Sequence, residues 1–160
     1  MVENDKYQIT YEDAVEICKY YKNFNFSESQ YIINGYKISA FSYFICNYND
    51  FAKPLPHRSE VNAFEMRGVT FVFNHDGSLW KRFLMLPKFF NINQTKETEY
   101  SAIKNKNISH ISIKEDGSLV AFMMLPDETI FSKTIKGFSN EQCEKSLKLL
   151  KNNNDHLNWV

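Results

Sequence analysis

The residues best suited to chemistry lie in the run Lys114-Glu115-Asp116-Gly117-Ser118-Leu119. Asp-Gly is a frequent turn between paired strands, and apolar runs at 111–113 and 119–122 flank this turn on both sides. A lysine held at the end of a strand can face a phosphate, and its neutral amine can attack phosphorus. The pattern therefore indicates Lys114 as a candidate nucleophile.

The chain contains an internal control for this motif. His75-Asp76-Gly77-Ser78-Leu79 repeats the Asp-Gly-Ser-Leu part between two other apolar runs, but without the lysine. Because Asp-Gly is common in hairpins, these four residues by themselves specify only a bend. The functional interpretation of Lys114 therefore depends on the lysine and on its wider context.

Three other segments carry cations where a phosphate can be bound. Arg67 precedes Gly68 at the entry to a predicted strand, and a guanidinium fork suits bidentate phosphate contact. Lys88 precedes two phenylalanines that can anchor its backbone in the core. Lys133 and Lys136 come just before a predicted helix, whose first N–H groups attract anions. Each cation alone is more simply explained as a surface residue, but together they indicate phosphate chemistry.

Composition limits the function classes. The 160 residues suffice for one domain or part of one, and 19 Lys plus Arg balance 19 Asp plus Glu, so any phosphate-binding surface must be local. The three widely spaced cysteines and four histidines show no metal-ligand spacing, which argues against a disulfide framework or a zinc site and favours a reducing compartment. We expect no signal peptide and no membrane span, and hence a cytoplasmic protein.

Hydrophobic periodicity predicts an α+β fold in which helices pack against antiparallel sheets. A first helix begins after Thr10, and a final helix is expected to begin with a capping box formed by Ser139 and Gln142. Asn34-Gly35 predicts a hairpin between 30–33 and 36–41. Residues 47–63 are predicted to be a loop, and a short helix is predicted around 97–103. Further strands are predicted at 68–73, 79–86, 111–113, 119–122 and 128–132.

The chain resembles the ATP-dependent RNA ligases of the phage tRNA-repair type, within the covalent nucleotidyltransferase superfamily. The resemblance runs from about Tyr11 to about Leu150, and its most specific part is Lys114-Glu115-Asp116-Gly117-Ser118-Leu119-Val120. This string, with Lys88-Phe89-Phe90-Asn91, favours the RNA-ligase branch over DNA ligases and capping-type relatives. The other matching segments are Phe41-Ser42-Tyr43, Arg67-Gly68, and Lys136-Gly137 followed by Glu141-Gln142.

The resemblance implies a role for each matching residue. Lys114 would be the nucleophile adenylylated by ATP, Tyr43 would lie in the nucleotide pocket, and Arg67 and Lys88 would hold the triphosphate. Lys136 would also face phosphate. The spacing before Lys136-Gly137 departs from the family pattern, which leaves Lys133 as an alternative for the same task. The implied ligands are ATP, Mg²⁺ and the ends of a tRNA-like RNA.

Several family features do not appear before Val160. They are a glutamate-bearing strand pair that binds sugar and metal, a Lys-x-Lys strand that orients the triphosphate, and a helical C-terminal domain. We therefore expect residues 1–160 to form a single, incomplete N-terminal part of an adenylyltransferase domain, with the metal ligands in the missing part. The chain would be a truncated reading frame or would act with a second chain. The alternative is an inactive remnant that binds nucleotide or RNA.

Two structural expectations follow from this interpretation. Lys114 should lie at a strand end on the floor of a cleft, with Tyr43, Arg67 and Lys88 directed into the same cleft. The sheet around Lys114 should expose apolar side chains that the missing strands would cover. If the protein is encoded by a phage, its location would be the host cytoplasm.

Overall fold

The computed structural model describes residues 8–21, 26–56, 58–86, 88–113 and 116–152. Helix α1 spans Tyr11–Tyr20. Thr10 Oγ1 accepts a hydrogen bond from the Asp13 amide at 3.1 Å, and the Asp13 carboxylate accepts one from the Thr10 amide at 2.8 Å. The predicted start of this helix after Thr10 is therefore confirmed, and Ala14 and Ile17 on the inner face of the helix are buried.

A four-stranded antiparallel sheet forms the centre of the fold, with strands in the order β1-β2-β3-β4. The turn at Asn34-Gly35 joins β1 to β2, and both residues have positive φ, as a two-residue hairpin turn of this type requires. The predicted hairpin is therefore confirmed. The strands are β1 (Phe26–Ile33), β2 (Tyr36–Tyr43), β3 (Thr70–Phe73) and β4 (Leu79–Phe83).

A second sheet contains the strands β5 (Ala121–Met124) and β6 (Ile130–Lys133), which pair antiparallel. Helix α4 (Glu141–Asn152) follows β6 and packs against it. The turn ends of the two sheets are joined by a side chain: Asn34 Nδ2 donates to Asp127 Oδ2 at 3.0 Å and to Thr129 Oγ1 at 2.9 Å.

The four-stranded sheet is buried on both faces. Phe41 and Phe71 lie in a core with α1, whereas Ile38 and Val72 lie in another core with β5 and β6. This alternation follows from the two-residue period of a strand, because neighbouring side chains point to opposite faces. The sheet therefore lies between a helical layer and a two-stranded layer, and the predicted α+β class with antiparallel sheets is confirmed.

Helix α2 (Tyr48–Ala52) lies inside the predicted loop at 47–63, so this part of the prediction is wrong. Asn47 Oδ1 accepts a hydrogen bond from the Asp50 amide at 3.2 Å, and the Asp50 carboxylate accepts one from the Asn47 amide at 2.8 Å. The Asn-x-x-Asp box starts a helix that ends before the prolines. Helix α2 carries Phe51 into the first core.

The predicted strand at 111–113 is also wrong, because residues 107–113 adopt no regular structure. The side chains of Ile111 and Ile113 are 80% and 84% exposed. A strand requires a neighbour for its backbone groups, and within the described ranges no strand pairs with this segment. Ile111 and Ile113 are exposed apolar residues, but they lie on an irregular segment and not on the sheet face that was expected to carry such residues.

The N-cap of helix α4 lies one residue later than predicted. Asn140, rather than Ser139, accepts the first-turn hydrogen bond, from the Cys143 amide to Oδ1 at 3.0 Å. The short helices elsewhere are 3₁₀ turns at Phe64–Met66 and Lys96–Thr98 and helix α3 (Tyr100–Ile103), and the last two agree with the prediction around 97–103. None of the helices in the described part of the chain is long and apolar enough to cross a membrane.

Candidate active site

Lys114 lies outside the described residues, but its C-terminal neighbours are placed. Gly117 has φ +152°, in the range that favours glycine, and the chain then enters β5 at Ala121. Ser118 and Leu119 line an open depression of about 320 Å³ together with Lys136. The segment that follows Lys114 therefore lies against Lys136. The depression is completed by Thr134, Ile135 and Gln142.

The second Asp-Gly-Ser-Leu sequence forms the turn between β3 and β4. Asp76 accepts hydrogen bonds from the Ser78 hydroxyl at 2.6 Å and from the Ser78 amide at 2.9 Å. These bonds hold the pKa of the Asp76 carboxyl below its usual value. Here Asp-Gly-Ser-Leu forms an ordinary hairpin turn, which agrees with the prediction that these four residues by themselves specify only a bend.

Arg67 follows the 3₁₀ turn Phe64–Met66 and reaches the segment before Lys88. Its Nη1 donates to the Leu86 carbonyl at 3.1 Å, and its guanidinium carbon lies 5.4 Å from the centre of the Phe89 ring. Arg67 therefore lies beside the Lys88-Phe89-Phe90-Asn91 segment.

Gly68 lies behind Arg67 where the side chains of Met85 and Lys133 approach the backbone closely. Its amide donates to the Phe41 carbonyl at 2.9 Å, and its φ is +98°. A Cβ at this position would lie 2.7 Å from Met85 Sδ and 3.4 Å from Lys133 Nζ. The position therefore requires glycine both for its backbone conformation and for space.

Glu65 anchors the backbone segment that leads into Arg67. Its Oε2 accepts a hydrogen bond from the Ile9 amide at 3.0 Å and forms an ion pair with Arg82. Arg82 Nε also donates to the Ile9 carbonyl at 3.2 Å. The segment before Arg67 is thereby fixed to β4 and to the chain before α1. Sequence reasoning missed this role of Glu65, whose only signal was its position two residues before Arg67.

Tyr43 and Lys88 meet at the same aromatic ring. The Phe51 ring lies 4.7 Å from the Tyr43 ring, edge to face, and 5.7 Å from Lys88 Nζ. Lys88 Nζ also lies 5.4 Å from the Phe90 ring. Phe51 belongs to α2, the helix that the sequence did not predict, so the element that joins these two candidate residues was missing from the prediction.

Lys133 and Lys136 occupy different environments. The Lys133 side chain is buried, and its ammonium donates to the carbonyls of Thr134 at 2.9 Å and Ile135 at 3.1 Å. Burial lowers the pKa of Lys133 to about 8. Lys136 is exposed, and its ammonium lies 4.9 Å from the centre of the Phe44 ring. Lys136 is therefore the better placed of the two to meet a ligand at the surface.

The lowered pKa of Lys133 predicts a specific pH dependence of stability. Between about pH 8 and the unfolded value near 10.4, the unfolded chain binds a proton that the folded chain has released, so this residue makes folding more favourable as the pH rises. Chemical denaturation at a series of pH values should show the unfolding free energy of the wild type rising relative to that of Lys133→Met, by about 3 kcal/mol. A constant difference from pH 7 to pH 11 would contradict the assignment.

Contacts link the described candidates in pairs, on four segments of the chain. Tyr43 and Lys88 share Phe51, Arg67 lies over Phe89, and Lys136 lies over Phe44, the residue after Tyr43. Most of these groups are cations, so the arrangement suits a polyanionic ligand. Within the ranges that the structure describes, no group of three or more His, Cys, Asp or Glu residues could hold a metal ion.

Comparison with known protein families agrees with this chemistry. A family model described as RNA ligase matches residues 65–158, more than half of the chain. The matched span includes Arg67, Lys88, the run that begins at Lys114, and Lys136, while Tyr43 lies before it. The chain belongs to the RNA ligase family.

Proposed function

We propose that the chain forms a lysine–AMP intermediate at Lys114 and supports the ATP-dependent sealing of RNA ends. The observation that carries this proposal is the depression lined by Ser118, Leu119 and Lys136, because it puts the residues after Lys114 beside an exposed cation. The match to RNA ligases over residues 65–158 supports the same chemistry.

The first step joins Lys114 to AMP. The neutral amine attacks the α-phosphorus of ATP, the bond from that phosphorus to the bridging oxygen breaks, pyrophosphate leaves, and the amine loses a proton to solvent. A solvated lysine has a pKa near 10.4, so neighbouring positive charge must favour the neutral form at pH 7. Arg67, Lys88 and Lys136 are the proposed sources of this charge.

The next two steps move AMP and seal the RNA. An oxygen of the RNA 5′-phosphate attacks the phosphorus of lysine–AMP, which releases the lysine amine and leaves AMP on the RNA through a new pyrophosphate bond. A 3′-hydroxyl then attacks the 5′-phosphorus, loses its proton, and displaces AMP. Fixed charges contribute most to such transfers by positioning and by stabilising the transition state.

The remaining candidates receive roles from their positions. Tyr43 is the proposed wall of the nucleotide pocket, and Arg67 and Lys88 are the proposed triphosphate ligands. Lys136 is the proposed third phosphate contact, in preference to the buried Lys133. Mg²⁺ is the expected companion of ATP, but the described residues include no group that fits it, so the steps above assign it no protein ligand.

We further propose that a second polypeptide segment completes the site. Ile108, Ile111 and Ile113 are exposed immediately before Lys114, and such a run gains stability when another strand or sheet covers it. The segment would carry the glutamate-bearing strands and the Lys-x-Lys strand expected of a nucleotidyltransferase. ATP, RNA ends and this segment are the proposed partners.

Covalent labelling tests the proposal. The chain is incubated with α-labelled ATP and Mg²⁺, denatured, and examined for retained label. Because the triphosphate-orienting strand is not supplied, we expect labelling of the chain alone to be weaker by about 10²–10³-fold than after addition of the C-terminal portion of a full-length family member. Bound nucleotide or RNA without labelling in the complemented sample would instead favour the inactive binding module.

A further inference from the structure

Two phenylalanine rings at the candidate site are exposed and each lies next to a cation. The Phe44 side chain is 57% exposed, with Lys136 Nζ 4.9 Å from its centre. The Phe89 side chain is 54% exposed, with the Arg67 guanidinium carbon 5.4 Å from its centre. Large apolar rings in such positions have a substantial area available to a ligand.

Other cation–ring contacts among the described residues differ in one respect. In those contacts the ring is buried or half-buried, so the cation covers the edge of a core rather than a free surface. At Phe44 and Phe89 the ring that lies next to the cation is exposed. The rings of the other contacts are Tyr11, Tyr21, Phe51, Phe73, Trp80, Phe83, Phe90 and Phe138.

The backbone holds both exposed rings out of the core. Ile45 follows Phe44 with φ +53°, a conformation that is costly for a β-branched residue. This bend ends β2 and leaves Phe44 and Ile45 at the surface. In the other segment, Phe90 packs edge to face against Tyr48 at 5.1 Å and Phe64 at 5.8 Å, and its neighbour Phe89 remains exposed.

We propose that Phe44 and Phe89 bind unpaired bases of single-stranded RNA ends by stacking, with Lys136 and Arg67 contacting the adjacent phosphates. The inference rests on the proposed function and identifies how that site takes its RNA. Aromatic rings beside cations are the combination used for single strands, because every base has a π-face and every nucleotide carries a phosphate.

The cations beside the two rings fit the order of the proposed reaction. After pyrophosphate leaves, the RNA 5′-phosphate must reach the phosphorus of lysine–AMP. Bases stacked on Phe44 and Phe89 would bring their phosphates to the cations that previously faced the triphosphate. The same charges would then serve both steps.

A protein partner fits these two rings less well than RNA does. The buried centres of protein interfaces are depleted in charged residues, and covering the rings with apolar side chains would remove Lys136 and Arg67 from water without supplying an opposite charge. RNA supplies a stacking surface and negative charge together. We therefore assign this surface to single-stranded RNA.

Binding without ATP tests the inference. Fluorescence anisotropy of a labelled, 5′-phosphorylated single strand of about ten nucleotides gives the affinity. Phe44→Leu and Phe89→Leu should each weaken binding by about five- to a hundredfold, the range for losing one stacked base. Phe44→Trp should retain the affinity because it keeps a π-face. Tyr20→Leu, which removes an exposed ring on α1, is the matched control and should leave the affinity unchanged.

Three outcomes would overturn the inference. They are undetectable RNA binding by the wild-type chain, full binding by both leucine variants, and an equal loss in Tyr20→Leu. Labelling by ATP is measured without RNA and RNA binding is measured without ATP, so this inference and the proposed function can fail separately.

Discussion

Lys114→Ala should reduce covalent labelling by α-labelled ATP to background in the complemented enzyme. No other amine can replace the nucleophile without moving the α-phosphorus out of line. Lys114→Arg should lose labelling equally, because arginine keeps its charge at any accessible pH and does not attack phosphorus. Gel analysis of the denatured protein measures both variants. Lys136→Gln should retain some label, because removing one charged contact costs about 10²–10³-fold.

A surface lysine elsewhere in the chain serves as the control for this experiment. Lys148 lies on α4 and is exposed, and Lys148→Ala should label like the wild type. Undiminished labelling in Lys114→Ala would move the nucleophile to another residue. Loss of labelling in both variants would point to damage to the fold rather than to the chemistry.

Gly68→Ala should be among the most destabilising small substitutions in the chain. The added methyl group would meet Met85 Sδ at 2.7 Å, and alanine is strained at φ +98°. The free energy of unfolding should fall by about 2–4 kcal/mol, from backbone strain and overpacking together. Urea denaturation measures it as a lower unfolding midpoint.

Gly77 provides the matched control, because its φ is +84° but an added Cβ would have no atom within 4 Å. Gly77→Ala should therefore introduce backbone strain without crowding, and it should lower the free energy of unfolding by about 1 kcal/mol. In the Met85→Ala background, Gly68→Ala should cost less, because the atom it would meet is gone. Equal losses of unfolding free energy at Gly68 and Gly77 would contradict the close approach of Met85 to Gly68.

The sequence predicted the elements that carry their own local signals. The Thr10 cap, the Asn34-Gly35 hairpin and the Asp76-Gly77 turn depend on hydrogen bonds or φ values within a few residues, so they were predictable. The strand predicted at 68–73 begins only at Thr70, because Gly68 has φ +98°, outside the strand region. The segment 111–113 has the composition of a strand but no described strand beside it, and composition alone does not supply one.

The candidate site was predictable as a set of residues but not as an arrangement. Arg67, Lys88 and Lys136 were named from their neighbours in sequence. Their grouping depends on contacts that no local pattern encodes, such as the Phe51 ring between Tyr43 and Lys88. The difference between Lys133 and Lys136 is likewise tertiary, since the burial of Lys133 is created by Met85 and by the turn that follows it. The placement of Lys114 remains a prediction.

The hydrogen bonds from Asn34 to Asp127 and Thr129 fix the point about which the two sheets could tilt relative to each other. They join the turn ends, whereas Tyr43 and Lys133 lie at the far ends of β2 and β6. Eight residues of β2 span roughly 25 Å, so tilting one sheet by about 3° about this point moves the far end by roughly 1 Å. A misplacement of about 1 Å can cost about 10²-fold in rate. Asn34 lies at the opposite end of the sheets from Tyr43 and Lys133, so a small change in the tilt that its hydrogen bonds set would produce a larger displacement at the site.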